Sequence, residues 1–225
     1  MSNRREDRGR GRRFDVFHLW ATTATGLAAL GIGIYSLVAL QASPEIDVAL
    51  PHVVRIAQGK NAWLYLQPTM TAMEPTEDVE VITDAVLRLK TSENAKNRPS
   101  FYWDETGAWT VDTKGKLSYR QTADPAPILV AHEKPQQPTM RFNAEGWNFY
   151  KARYEGTLAI HRSEGRKPIV KKFCLIITPG NEARFRKFGQ FASYLFRNDR
   201  PASPGAPRDE IGCYRTSEAN SSIPR

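Results

Sequence analysis

Two adjacent carboxylates and four histidines are the residues of this 225-residue chain whose types could support acid–base or metal chemistry. Asp104 and Glu105 could share a proton as paired carboxylates do. They fall, however, where we predict a β-turn, in which solvated Asp and Glu are expected. The histidines, at positions 18, 52, 132 and 161, lack the spacing of metal ligands. We therefore predict no catalytic residue and no metal site from these groups.

Motifs that would identify an enzyme or a cofactor site are absent from the sequence. It contains no G-x-S-x-G, no phosphate-binding G-x-x-x-x-G-K-[ST] loop, no G-x-G-x-x-G, no H-E-x-x-H and no C-x-x-C. We expect a protein that is not an enzyme and carries no cofactor. An enzyme without a recognisable motif is the third alternative.

The two cysteines are candidates for a disulfide bond. Cys174 lies in an apolar run, Cys174-Leu175-Ile176-Ile177, which predicts a central strand buried on both faces, and Cys213 lies in a Pro- and Ser-rich tail. In an oxidising compartment such a pair tends to be joined, and the bond would hold the tail against the last helix. The alternative is a buried, reduced Cys174 and a free thiol at Cys213.

Positive charge is concentrated in the C-terminal third of the chain. The formal net charge is +8, and residues 161–225 hold 13 Lys and Arg against 6 Asp and Glu. Such a surface attracts anionic lipid, an acidic partner or an acidic polymer, or it is simply a solvated face. We expect no nucleic acid, because this part lies outside the cytoplasm in the topology predicted below. The candidate basic patch consists of Arg166, Lys167, Lys171, Lys172, Arg184, Arg186 and Lys187.

Residues 16–40 predict a transmembrane helix. These 25 residues contain no Asp, Glu, Lys or Arg, and they are long enough to span a hydrocarbon core of about 30 Å. Six arginines precede them, whereas residues 41–54 contain no Lys or Arg. The positive-inside rule therefore predicts a single-pass inner-membrane protein with a cytoplasmic N-terminus and a periplasmic C-terminal domain. A cleaved signal peptide is the alternative.

One face of the predicted span carries small residues at four-residue spacing. Thr25, Ala29 and Gly33 form this stripe, which would let a second helix approach closely. The chain could associate with itself or with another membrane protein through this helix-association face. The alternative is that the stripe faces lipid.

The helices that should position the exported part begin at recognisable capping residues. Residues 76–90 predict a helix, capped by Thr76, whose apolar face comprises Val79, Ile82, Val86 and Leu89. Thr178 followed by Pro179 predicts the start of a second helix, which we expect to extend to about Arg197. Both helices should pack on a sheet.

The strands are predicted from alternating apolar residues and glycine-containing turns. Residues 100–104, 108–112 and 116–122 form an antiparallel meander with turns ending at Gly107 and Gly115. We predict further strands over 128–132, 147–154, 157–162 and 169–178. The fold class is therefore α+β: a mainly antiparallel β-sheet with two packing helices, on an N-terminal transmembrane helix.

This layout divides the chain into five parts. They are a cytoplasmic basic tail (1–15), the transmembrane helix (16–40), a connector (41–59), the exported α+β domain (60–199) and a C-terminal tail (200–225). In layout the chain resembles envelope-assembly and secretion-apparatus subunits of bacteria. The segment Gly115–Ala123, G-K-L-S-Y-R-Q-T-A, resembles a β-repeat of lipopolysaccharide-transport proteins.

We predict a membrane-anchored, non-enzymatic interaction or assembly subunit of an envelope complex. Its partners would be the membrane and a protein in or at the membrane, with anionic lipid as a further candidate. The alternative function is a lipid- or glycan-handling envelope protein. Its β-sheet would enclose an apolar groove lined by Trp103, Trp109 and Trp147.

Overall fold

The described residues of the chain form two helices and twelve strands. The structure, a computed structural model, describes residues 7–40, 44–73, 78–91, 98–115, 117–163, 165–189, 193–199 and 212–216. The helices are α1 (Asp7–Leu40) and α2 (Pro179–Phe188). The strands are β1 (Ile46–Ala49), β2 (Val53–Gln58), β3 (Ala62–Leu66), β4 (Thr69–Ala72), β5 (Glu80–Thr91), β6 (Ser100–Val111), β7 (Leu117–Ala123), β8 (Ile128–Val130), β9 (Thr139–Ala144), β10 (Ala152–Arg162), β11 (Ile169–Ile177) and β12 (Ser193–Arg197).

Ten of these strands form one antiparallel sheet. Its strand order is β11-β10-β5-β6-β9-β3-β2-β12, with β7 added beside β6 and β8 beside β5. The strands β1 and β4 form a separate antiparallel pair. The prediction of a mainly antiparallel α+β fold is therefore confirmed.

A short C-terminal segment joins the two ends of this sheet. The backbone N–H of Tyr214 donates to Cys174 in β11, and the N–H of Ile176 donates back to Tyr214, at 2.8 and 2.9 Å. The next residue, Arg215, exchanges two backbone hydrogen bonds with Arg197 in β12, at 2.8 and 2.9 Å. Residues 213–215 therefore lie between the first and last strands of the path, and we call this junction the seam. The tail expected over 200–225 is structured at the seam, and the rest of it lies outside the described residues.

The main core fills the space behind one face of the sheet. Strand β3 shows the pattern that builds it, because Ala62, Leu64 and Leu66 are buried while the two residues between them are half-exposed. The same alternation in the other strands brings large apolar side chains to this face. The fully buried rings are those of Phe101, Phe142, Phe149, Tyr154, Phe185, Phe196 and Tyr214.

Strands β10 and β11 meet closely at a glycine. Gly156 lies opposite Phe173, and a Cβ atom built on Gly156 would lie 2.2 Å from Cζ of that ring. The absence of a side chain therefore lets the phenyl ring lie across the neighbouring strand. Phe173 in turn contacts the ring of Tyr214 in the seam, with 5.7 Å between ring centroids.

No other part of the described chain packs on the described side chains of helix α1. Its described side chains, Trp20 and those of residues 22–38, are all exposed. The helix covers the predicted span and also positions 7–15, which we expected to form a separate tail. Across the described part of the chain, no helix meets both the length and the apolarity that crossing a membrane requires.

The helix predicted over 76–90 is wrong, because residues 80–91 form strand β5. Strand β5 pairs with β10 from Ile82 to Thr91, and the register shifts at Thr83. Before the shift Ile82 is buried, and after it Ala85, Leu87 and Leu89 are buried. The extra residue changes which positions face the core. The predicted helical face combined Ile82 and Leu89, which face the core, with Val86, which is buried between Ala85 and Leu87 on the other face of the strand. Pairing with β10 then outweighs local helix propensity.

Helix α2 starts where predicted and ends earlier than predicted. Thr178 and Asn181 form a reciprocal capping box, in which the N–H of Asn181 donates to the Thr178 hydroxyl at 3.2 Å. The helix ends at Phe188 because Gly189 adopts φ +53°. Within the stretch that we expected to continue the helix, residues 193–197 instead form β12, next to β2.

Three further expectations differ from the structure. The predicted turn at Gly107 is absent, since β6 runs unbroken from Ser100 to Val111, whereas the turn at Gly115 is present with φ +76°. The connector expected over 41–59 contains β1 and β2. The strand carrying Cys174 lies at one end of the sheet path and not at its centre.

Candidate functional site

Four polar side chains form a row across the face of the sheet that is turned away from the main core. In the pairing register Arg55 of β2 lies opposite Tyr65 of β3, Tyr65 opposite Arg141 of β9, and Arg141 opposite Glu105 of β6. Arg55 lies between buried neighbours in β2, so its side chain projects from the opposite face. The row therefore places two arginines, a tyrosine and a carboxylate on one surface.

A β-bulge brings a second carboxylate to this row. The register between β6 and β9 shifts between Trp103 and Glu105, which leaves Asp104 as the extra residue. Asp104 accepts two hydrogen bonds from the guanidinium of Arg141, both 3.1 Å, and Glu105 lies 2.7 Å from the same group. Consecutive strand residues normally point to opposite faces, so the bulge is what lets both contact one arginine. The prediction that this pair consists of solvated turn residues is wrong.

Burial sets the proton affinities in this group. Glu105 is 5% exposed, and burial raises the pKa of its carboxyl although Arg141 acts in the opposite direction. Burial acts to lower the pKa of Arg141, but the hydrogen bonds and charges of the carboxylates raise it overall. Burial also raises the pKa of Tyr65 and of Tyr119. Arg141 pairs with both Asp104 and Glu105, and these contacts hold β6 against β9.

Two further aromatic rings, those of Trp109 and Tyr119, pack on Tyr65 of this row. The ring centroid of Tyr65 lies 5.1 Å from that of Trp109 and 4.8 Å from that of Tyr119, and the other two rings are 5.3 Å apart. Tyr119 crosses Gly107, where a built Cβ atom would lie 2.4 Å from the phenol oxygen. Strands β6 and β7 therefore bring an aromatic surface over β2 and β3, and Gly107 makes this contact possible.

A cavity of about 430 Å³ opens beside these rings. Its lining residues are Pro51, His52, Val53, Arg55, Tyr65, Leu66, Gln67, Trp109 and Thr139. The guanidinium carbon of Arg55 lies 4.6 Å from the ring centroid of Trp109, which is a cation–π distance. Burial lowers the pKa of Arg55, as expected for a cation removed from water. At the rim, Nδ1 of His52 lies 3.1 Å from the side-chain oxygen of Asn198.

The three tryptophans that we predicted to line one apolar groove do not lie together in the structure. Trp109 lines the cavity, whereas Trp103 is 6% exposed and donates its indole N–H to the backbone carbonyl of Glu105. Trp147 packs on Phe101 and other rings of the main core. One of the three tryptophans therefore belongs to the candidate site.

The candidate basic patch lies at two ends of β11. Arg166 and Lys167 precede the strand, and Arg184, Arg186 and Lys187 follow it in α2. Nine residues of strand separate the two groups, which corresponds to roughly 30 Å. Lys171 and Lys172 lie within the strand and, being consecutive, point to opposite faces.

Three residues of the patch contact carboxylates. Arg166 binds the buried Glu80 at 2.6 Å, Lys171 binds Asp47 at 2.8 Å, and Arg186 binds Glu182 at 2.5 Å. The hydrogen bond from Lys171 lowers the pKa of Asp47. Lys167, Lys172 and Lys187 are exposed. Binding of an anionic lipid or an acidic partner by these residues stays a prediction.

The predicted disulfide bond is confirmed. Cys174 of β11 and Cys213 of the seam are bonded, with their Cα atoms 4.6 Å apart. The bond therefore holds the seam against the end of the sheet and not against α2. Asn181 of α2 supplies a further contact, since its side-chain amide donates to Thr216 at 3.0 Å.

Neither His132 nor His161 contributes to the candidate site, and the side chain of His18 lies outside the described part of the chain. Nε2 of His132 lies 4.0 Å from the adjacent Glu133, and His161 is half-buried in β10. Among the residues that the structure describes, no three histidine, cysteine or acidic side chains lie together as metal ligands would.

Sequence reasoning missed Arg55, Tyr65 and Arg141, which organise the candidate site. Each occupies one position in a short alternating strand, as in Val53-Val54-Arg55-Ile56. Alternation alone could have identified these segments as strands with Arg55, Tyr65 and Arg141 on the non-core face. Their convergence depends on the order β2-β3-β9-β6, which no local pattern specifies.

Comparisons with known proteins give distant structural similarity. No protein-family description and no curated protein sequence matches the chain. A family 123 glycoside hydrolase from Clostridium perfringens is 9% identical with a TM-score of 0.32, over 59% of this chain and 27% of that protein. The sporulation control protein Spo0M from Bacillus subtilis is also 9% identical, with a TM-score of 0.30 over 61% and 50%. The chain thus spans about a quarter and a half of the lengths of these two proteins.

A third solved structure, from Francisella tularensis SCHU S4, has a TM-score of 0.19 at 9% identity. The match covers 60% of this chain and 95% of that one.

Proposed function

We propose that this chain is a membrane-anchored, non-enzymatic interaction or assembly subunit of an envelope complex. Helix α1 would be the anchor, with the basic N-terminal residues in the cytoplasm, and the β-rich part would meet its partner on the opposite side of an inner membrane. The disulfide bond between Cys174 and Cys213 supports this location, because such bonds persist in oxidising compartments.

The observation that carries this proposal is the exposure of large apolar side chains along α1. Six aliphatic residues are 56–67% exposed: Leu27, Leu30, Ile32, Ile34, Leu37 and Val38. Full burial of such a side chain is worth roughly 1.5–3 kcal/mol. Exposure of all six to water is therefore unfavourable, and acyl chains or a partner helix would provide the burial.

The proposal of a non-enzymatic role is supported by the state of the carboxylates. Asp104 and Glu105 both contact Arg141, and Glu80 contacts Arg162 and Arg166. Carboxylates that are paired with arginines in this way hold neighbouring strands together. A general acid or base would instead face a space that a substrate can enter.

Membrane fractionation of the complete chain, with a C-terminal reporter that is active only outside the cytoplasm, tests the anchor. We expect the reporter to be active and the protein to stay in the membrane pellet after an alkaline wash. Replacing Leu30 and Ile34 by lysine should release the protein from the pellet, since each lysine at a helix centre costs about 2.5–3.5 kcal/mol of insertion free energy. Leu129→Lys, at an exposed apolar position of β8, is the control and should not release it. A soluble form starting near Ser43 would show instead that α1 is a cleaved signal peptide.

Self-association through α1 is tested at the stripe formed by Thr25, Ala29 and Gly33. Apart from the nearby backbone of α1 itself, a Cβ atom at Gly33 meets no atom of the described chain within 4 Å, and the same is true at Gly31. Gly33→Leu should therefore lower the yield of cross-linked dimer in membranes without affecting the fold, because leucine prevents close helix approach. Gly31→Leu lies off the stripe and is the matched control. Equal dimer yields for the two variants would contradict the predicted face.

A second candidate function is glycan handling, which the cavity beside Trp109 favours. Ligand sites in proteins are concave, are lined largely by apolar and aromatic side chains, and have volumes of about 300–1,000 Å³. The cavity volume of about 430 Å³ and its two aromatic residues, Tyr65 and Trp109, fit that description.

A further inference from the structure

Arg55 is a partly buried cation without a carboxylate partner among the described residues. Its contact with the Trp109 ring is a cation–π interaction, and no ion pair of the described chain includes it. By contrast, Arg141, Arg162 and Arg197 each contact an aspartate or glutamate. A guanidinium removed from water without an anion is unfavourable unless a ligand supplies one.

The composition of the cavity lining favours an anion. Its nine residues include two basic side chains, Arg55 and His52, and no aspartate or glutamate. Asp199 follows Asn198, the residue that contacts His52, and its carboxylate is paired with Arg197 through hydrogen bonds of 2.9 and 2.7 Å. That pairing lowers the pKa of Asp199 to about 2. The positive charge of Arg55 therefore faces the cavity without compensation from its walls.

The remaining lining favours a polar ring over an acyl chain. Gln67 and Thr139 provide hydrogen-bonding groups, and Tyr65 and Trp109 provide flat apolar surfaces. An acyl chain would need a continuous aliphatic wall, whereas Leu66 is 1% exposed and belongs to the main core. Sugars combine hydroxyl groups with apolar ring faces, which matches a lining of this mixed kind.

We propose that this cavity binds an acidic saccharide, with Arg55 holding the carboxylate or phosphate group of the sugar and the rings of Tyr65 and Trp109 contacting its body. The planar guanidinium can donate two parallel hydrogen bonds to either oxyanion. The proposal rests on the second candidate function, glycan handling, and adds the chemical class of the ligand and the residue that selects it.

Titration of the full-length protein in neutral detergent tests the proposal. The probes are D-glucuronate and D-glucose 6-phosphate, with D-glucose as the uncharged control, inorganic phosphate as the free anion, and dihexanoyl phosphatidylglycerol as a lipid head group. Binding is measured by calorimetry and by the fluorescence of the tryptophans. We expect the two acidic sugars to bind at least about tenfold more tightly than glucose, because glucose lacks the charged hydrogen-bonding contact with Arg55. They should also bind about tenfold more tightly than inorganic phosphate or the lipid head group, because these anions lack a sugar ring to contact Tyr65 and Trp109.

Variants of Arg55 test whether its guanidinium contacts the anionic group of the sugar. Arg55→Gln should weaken binding of both acidic sugars by about tenfold or more and leave glucose binding unchanged. Arg55→Lys keeps the charge without the planar fork, and we expect an intermediate loss. Arg88→Gln removes an exposed arginine from β5 and is the matched control, with unchanged affinity. Thermal unfolding of each variant confirms that the fold is intact.

Four results would overturn the proposal. They are acidic-sugar binding that does not change in Arg55→Gln, tighter binding of the lipid head group or of free phosphate than of the sugars, glucose binding equal to glucuronate binding, and no binding of any sugar. Equal binding of glucose would refute the acidic ligand and leave glycan handling intact. Absence of all sugar binding would refute both, while the membrane-anchored interaction role is tested separately by fractionation.

Discussion

Removal of the disulfide bond should lower the stability of the β-rich part by a few kcal/mol without unfolding it. The change is the double substitution Cys174→Ser and Cys213→Ser, which leaves no unpaired thiol. The two cysteines are 39 residues apart in the sequence. In the chain-entropy description, a loop of this length restricts the unfolded chain by about 4 kcal/mol at 25 °C.

The seam has other contacts that remain after this change. Tyr214 is fully buried, its hydroxyl donates to the carbonyl of Pro51, and four backbone hydrogen bonds join residues 214 and 215 to β11 and β12. We therefore expect a loss of about 2–4 kcal/mol and a folded protein at room temperature. For a domain of this size, 1 kcal/mol corresponds to about 2–4 °C, so the melting temperature should fall by roughly 5–15 °C.

Thermal unfolding of the full chain in mild detergent, followed by near-ultraviolet circular dichroism, measures this effect. The wild-type protein treated with reductant should match the double-serine variant, and reductant should not change the variant further. Mass spectrometry after alkylation confirms the redox state of each sample. Two outcomes would refute the reasoning: an unchanged melting temperature in fully reduced wild type, and rapid alkylation of Cys213 in the native, unreduced protein.

Three further substitutions test individual contacts by chemical denaturation. Gly156→Ala should lower the free energy of unfolding by about 1–3 kcal/mol, because the added Cβ overlaps the facing phenyl ring, whereas Gly180→Ala has room and should not be destabilising. Glu80→Ala should cost about 3 kcal/mol, since it leaves two partly buried arginines without their carboxylate; Glu155→Ala removes an exposed ion pair and should cost under about 1 kcal/mol. Burial raises the pKa of Glu105 above 4.5, so the folded state binds this proton more tightly than the unfolded chain. Protonated Glu105 therefore stabilises the folded state at low pH, and this contribution is lost as the pH rises through the raised pKa. Glu105→Gln should remove this part of the pH dependence of the free energy of unfolding, which denaturation from pH 4 to pH 7 would measure.

Local patterns predicted the elements that depend on nearby residues. The turn at Gly115 needs a positive φ, and the start of α2 needs Thr178 and Pro179, so both are specified by a few adjacent positions. The fold class also followed from the strand patterns in the second half of the chain. These features require no knowledge of which strands become neighbours.

Elements that depend on distant partners were misread. Strand β5 buries apolar residues on both of its faces, so Ile82, Val86 and Leu89 resemble a helical face until the pairing with β10 is known. The bulge at Asp104 is also invisible in the sequence, and without it the two carboxylates point to opposite faces. Arg55 belongs to the candidate site because β2, β3, β9 and β6 are consecutive neighbours in the sheet. Strand order thus decides the site, and it is set by packing across the whole domain.

The seam covers the two sheet edges at which molecules of this protein could otherwise pair. Strands β11 and β12 are the two ends of the sheet path, and each would present free backbone N–H and C=O groups if residues 213–215 were absent. Unpaired edges of this kind are templates for strand addition and aggregation, and β11 carries the strongly apolar run Leu175-Ile176-Ile177. One short segment therefore blocks both edges at once. A chain cleaved before Cys213 and then reduced would lose this protection, and would expose two surfaces for intermolecular β-pairing.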